Sequence, residues 1–96
     1  MFILAAKITL FLNDHPKNLK EKRSLINSVK QKIINKFKVS IAEVADNEKL
    51  HITTIGLAIV SNNKKLLDQT ICKIEDFLSS MKNVSIINVV TNYYSQ

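Results

Sequence analysis

The sequence predicts a single α+β domain whose elements run βαββαβ. Three observations carry that reading. Phe2 to Leu12 alternates in hydropathy with the period of a strand, three further segments read as strands, and two longer segments repeat apolar residues with the period of a helix. Only one glycine and one proline occur in 96 residues, so nothing resembles a linker or a boundary between domains. No internal repeat is visible.

Phe2 to Leu12 places Phe2, Leu4, Ala6, Ile8, Leu10 and Leu12 in one phase and Ile3, Ala5, Lys7, Thr9 and Phe11 in the other. This is a period of two, with β-branched and aromatic content suited to a strand. Asn13-Asp14-His15-Pro16-Lys17 is turn chemistry. Asn18, three residues before Glu21, forms an asparagine version of the capping box and starts a helix. Leu19, Ile26, Val29, Ile33 and Phe37 then recur at helical spacing, flanked by Leu25, which predicts an amphipathic helix from Leu19 to about Lys36. Val39 to Ala45 and Leu50 to Ser61 read as strands joined by the polar Asp46-Asn47-Glu48-Lys49 connection of a hairpin. Ser61, Asn62 and Asn63 offer N-caps for a second helix. Its stripe is Leu67, Ile71, Ile74, Leu78 and Met81, widened by Leu66 and Phe77. Lys82-Asn83 ends it, and Val84 to about Tyr94 is the last strand. Two split βαβ units with right-handed crossovers make residues 1–96 one ferredoxin-like domain. Its four-stranded antiparallel sheet has the first and third strands central and both helices on one face.

The net charge of +6 is unevenly placed. Lys17 to Lys38 holds eight basic residues and one acidic; the remainder holds six basic and seven acidic. A local concentration of this kind points to an anionic partner, nucleic acid first. Lys20, Lys22 and Arg23 crowd the first turns of the helix, where the macrodipole favours anions and opposes cations. They suggest a phosphate site formed with the helix-start N–H groups, extended along one flank by Lys30. Lys32 and Lys36 fall on the other flank. Lys22 falls within the apolar stripe, and its stem is expected to snorkel from the sheet edge. No aromatic residues interleave these cations, so backbone contact with strong salt dependence is expected rather than base stacking.

The second candidate surface is the sheet face turned away from the helices. Ile3, Ala5 and Phe11 from the first strand, with Ile52, Ala58 and Val60 from the third, are apolar or small, as is Gly56 between them. A face of this kind is expected to meet a second copy or a protein partner. The third strand carries no stacking aromatics, which disfavours RNA binding on the sheet.

Catalytic and metal-binding constellations are not apparent. His15 lies in a turn and His51 near a strand start, with no spacing that ties them together; both read as surface histidines. Cys72 falls opposite the apolar stripe without a histidine partner, and Glu43 and Asp46 lack a metal-ligand pattern. The expectation is a non-enzyme with no cofactor and no metal. A single cysteine and the lack of a signal sequence or membrane span fit the cytoplasm.

Three separated motifs carry a family resemblance. Leu19-Lys20-Glu21-Lys22-Arg23-Ser24-Leu25, Phe37-Lys38-Val39-Ser40-Ile41-Ala42-Glu43-Val44 and Gly56-Leu57-Ala58-Ile59-Val60-Ser61-Asn62 resemble the YlxP-like family. This is a bacterial domain of unknown function with a ferredoxin-like fold. Asn18 stands where that pattern leads us to expect Ser, and Leu50 where it leads us to expect Trp. The resemblance implies small cytoplasmic proteins often encoded beside translation initiation factor 2 and ribosome-binding factor A, hence a role near the ribosome. Two function classes stay open: an RNA- or ribosome-associated factor acting through the basic helix, and an interaction or homodimerisation module acting through the sheet face. A small-molecule sensor is a weaker third.

Overall fold

The computed structural model describes residues 1–96 throughout. Its elements are β1 (Phe2–Leu12), α1 (Leu19–Phe37), β2 (Ser40–Ala45), β3 (Ile52–Ser61), α2 (Lys64–Ser80) and β4 (Val84–Ser95). The sheet is antiparallel with strand order β2-β3-β1-β4, so β1 and β3 are central as the split βαβ topology requires. No helix is long and apolar enough to cross a membrane.

One phase of β1 supplies the core. Leu4, Ala6, Ile8, Leu10 and Leu12 are buried against Ile55 and Leu57 of β3, Val29 and Ile33 of α1, and Leu67, Ile71, Ile74 and Leu78 of α2. Burying side chains of this size contributes roughly 1.5–3 kcal/mol each, so the two helices are held chiefly by these stripes. Leu66, counted in the α2 stripe by its spacing, is instead 51% exposed. It lies on the flank of the helix that turns away from the sheet. Phe77 does pack, edge-on to Phe37 at 5.6 Å between centroids.

Asn18 caps α1 with an extended backbone, its Oδ1 accepting from Glu21 N–H at 2.9 Å. The reciprocal bond is displaced by one residue, because Glu21 accepts from the Lys17 N–H and not from Asn18. Asn63, the last of the three candidates, caps α2 by accepting from the Lys65 and Leu66 N–H groups. At the far edge, the Tyr93 hydroxyl donates to Asp68 and Lys64 lies 4.8 Å over the Tyr93 ring, joining β4 to α2. That donated hydrogen bond pushes the Tyr93 pKa up to about 12 and keeps the phenol neutral.

Candidate functional site

The basic helix divides into one buried cation and several free ones. Lys20 and Arg23 are exposed and Lys30 is half-buried, while Lys32 and Lys36 are exposed on the opposite flank. Lys36 sits 4.6 Å over the Phe77 ring, so that second flank looks toward α2. Lys20, Arg23 and Lys30 therefore line the flank away from α2, spanning about 15 Å along the axis. None of the three has an ion-pair partner; the two salt bridges of the molecule are Lys22–Glu43 and Lys49–Asp46.

Lys22 does not belong to that surface. Its side chain is 1% exposed and its Nζ donates to the carbonyl oxygens of Asp46 at 2.6 Å and Asn47 at 3.3 Å. It also stands 3.3 Å from Glu43 Oε2, which in turn accepts from the buried Thr53 hydroxyl at 2.6 Å. The expected snorkelling is thus corrected. The stem follows the apolar stripe, but the head turns under the β2–β3 hairpin, where acceptors replace water. An ammonium already committed to a carboxylate and two carbonyls is not available to a phosphate. The pairing had a signal in the sequence: a cation on the inward stripe of α1 and an acid on the inward phase of β2.

The helix start is also not the convergence point expected of it. A shallow depression of about 390 Å³ there is lined by Asp14, Pro16, Glu21, Ser24, Leu25 and Ser28, and by no lysine or arginine. Two carboxylates beside the helix N-terminus satisfy the macrodipole locally and disfavour a second anion. The cationic surface is the exposed flank of the helix.

The hairpin that covers Lys22 is held by Asp46, which adopts the left-handed conformation at φ 62°. Its Oδ2 accepts from Thr54 Oγ1 at 2.7 Å, and Oδ1 lies 3.1 Å from Lys49 Nζ. The Thr54 hydrogen bond first, then Lys49, hold the carboxyl below its ordinary value of 3.8. Because the folded pKa is the lower one, the stabilisation is complete above the unfolded value and is lost as pH falls through the folded one. Thermal denaturation of the wild type is expected to show an acid-side loss below about pH 4. Asp46→Asn, which tolerates the same backbone, should make that limb shallower.

The outer sheet face is mixed. Ala58 and Val60 are exposed, and Ile3, Ala5, Phe11 and Ile52 are partly covered. Thr54, in the same phase of β3 as Ala58 and Val60, is nonetheless buried because Asp46 and the Thr9 hydroxyl close over its own. Phe11 lies under two histidine rings: His15 and His51, far apart in sequence, meet with centroids 5.5 Å apart, and each lies within 6.4 Å of Phe11. No cluster of three or more His, Cys, Asp or Glu side chains is placed to hold a metal ion. Near the middle of the face a groove of about 400 Å³ is floored by Ala5, Ala42, Gly56 and Ala58 and bordered by Val44 and Val90. A β-carbon on Gly56 would lie 2.8 Å from Val44 Cγ1, so Gly56 lets the end of β2 fold inward over β3.

Comparisons with known proteins bear on this architecture. A family model described as "Protein of unknown function (DUF503)" matches residues 3–91. The uncharacterized protein YlxP of Bacillus subtilis (strain 168) is 28% identical over 67 residues, covering 70% of this chain and 73% of its own. Among solved structures, the ACT domain from the GTP pyrophosphokinase of Chlorobium tepidum superposes over 96% of this chain and 100% of its own. Its TM-score is 0.53 at 22% identity, a likeness of fold. A dimeric ferredoxin-like protein from an uncultured marine organism superposes over 98% of this chain and 94% of its own, with TM-score 0.48 and 12% identity. With nearly its whole length matched by the family model and the βαββαβ fold in place, the chain belongs to the DUF503 family of YlxP-like proteins.

Proposed function

We propose that this protein is a non-enzymatic cytoplasmic factor that associates with RNA or the ribosome, in ribosome maturation or translation, through the exposed flank of α1. The observation that carries the reading is the imbalance of pairing. Lys22, the one α1 cation matched by an acid, is the one turned inward. Lys20, Arg23 and Lys30 stay unneutralised on a rigid helix. Such a row neutralises phosphates and releases counterions, and it reads no base sequence.

Fluorescence anisotropy with ribosomal RNA fragments tests this. Binding should weaken linearly in log–log form as salt rises. The combined variant Lys20→Glu, Arg23→Glu, Lys30→Glu should lose at least about tenfold in affinity at low salt and about one unit of salt slope per cation removed. Absence of binding at low salt, or a triple variant that binds like the wild type, would sink the proposal.

The second reading, a protein-interaction module, is favoured by the apolar groove around Gly56 and by the exposed Val60 on the outer face. In that case a partner is retained after nuclease treatment of a cell extract and lost with Ala58→Glu.

A further inference from the structure

We infer that β4 is an association edge along which a second copy of this chain pairs, antiparallel and about a two-fold axis, to make a continuous eight-stranded sheet. β4 and β2 are the two edges of the sheet. β2 is defended in the usual ways: it has 6 residues, and its pairing shifts register between Glu43 and Ala45. β4 runs for 12 residues, Val-Ser-Ile-Ile-Asn-Val-Val-Thr-Asn-Tyr-Tyr-Ser, with no charge and no proline, in a chain that is 23% charged. One irregularity, between its pairings with Thr9 and Leu10, interrupts it. Four of the eight exposed large apolar side chains lie on this strand: Ile87, Val90, Tyr93 and Tyr94.

The occupant follows from charge, size and closure. The sheet face is a poorer site for a second copy, because exposed Lys7 stands near its middle, opposite Gly56 and Val90. A two-fold axis there would set two ammonium groups against each other. β4 itself carries no charge, and the Lys64 ammonium beside it is seated over the Tyr93 ring, whose hydroxyl donates to Asp68. A 12-residue strand is about 40 Å long. Pairing over a depth of about 20 Å, sheet and helix layer together, covers roughly 800 Å² per copy, the standard size for a stable interface. Self-pairing consumes the long edge of both copies and leaves only the short, irregular β2 edges, so assembly stops at two. The free cations Lys20, Arg23 and Lys30 lie on the flank of α1 away from α2, clear of the junction, so pairing along β4 does not depend on RNA binding.

Sedimentation from 1 to 200 µM, with amide hydrogen exchange at both ends of that range, tests it. The expected result is a concentration-dependent dimer in which β4 amides directed away from β1 become protected by at least tenfold. Ile87→Lys with Val90→Lys, both at exposed positions, should yield a folded monomer with those amides unprotected. A wild-type monomer at 200 µM overturns the inference. So does a dimer whose β4 edge amides exchange at the monomer rate, since the contact then lies elsewhere. The exchange pattern decides the matter even if the lysine variant fails to fold.

Discussion

Lys22→Met is expected to lower the unfolding free energy by about 3–5 kcal/mol, a large share of the stability of a small domain. The substitution keeps the stem that follows the apolar stripe and removes only the ammonium. Glu43, whose side chain is 16% exposed, then keeps a single partner in Thr53, the Asn47 carbonyl loses its donor, and the Asp46 carbonyl keeps only the Lys49 N–H. The cost comes mainly from the charge left behind. Replacing both partners, Lys22→Met with Glu43→Leu, should therefore recover most of the loss, because an apolar pair of similar volume carries no desolvation penalty. Urea denaturation reads both variants. A single-variant loss below about 1 kcal/mol would contradict the buried placement of the ammonium. The folded fraction of Lys22→Met should bind RNA as the wild type does, which separates this cation from Lys20, Arg23 and Lys30.

Gly56→Val is expected to cost about 2 kcal/mol, within the range of overpacking substitutions. The backbone of Gly56 is not in the left-handed region, so conformational freedom does not explain the glycine. The neighbour does: Val44 Cγ1 would stand 2.8 Å and Cγ2 3.4 Å from an added β-carbon. Valine is stiff about χ1 and cannot swing aside freely, so the end of β2 must lift. Adding Val44→Ala should return at least half of the loss. Thermal denaturation measures the stability, and exchange of the β2 amides reports whether that edge has lifted. A Gly56→Val protein as stable as the wild type would show that Val44 does not rest on this position.

The two positions differ in how far the sequence reveals them. Lys22 in an apolar stripe and Glu43 in the inward phase of β2 are each visible as anomalies. Their pairing is not, because it depends on the depth at which α1 lies under the hairpin. The glycine at position 56 reads as a small residue on an open face. Only the register, which sets Ala42 opposite Gly56 and then shifts before Ala45, brings Val44 over it. His15 and His51 give no local sign of their contact. It arises because the turn after β1 and the start of β3 meet at one end of the antiparallel ladder.

By itself the sequence determined the order of the elements, their phases, the Asn18 cap and the concentration of cations on α1. These are local or periodic properties, and a period of two or of 3.6 residues assigns each side chain to a face without reference to the rest of the chain. The tertiary structure decided which cations are free. Lys20, Lys22 and Arg23 are near neighbours on one helix, yet the hairpin carbonyls and Glu43 claim Lys22 alone. It also separated a short edge that carries Glu43 from a long one without charge, since β2 and β4 become edges only once the strands take their order in the sheet. Charge pairing and edge exposure arise from the relative placement of distant segments, and hydropathy along one segment does not encode them.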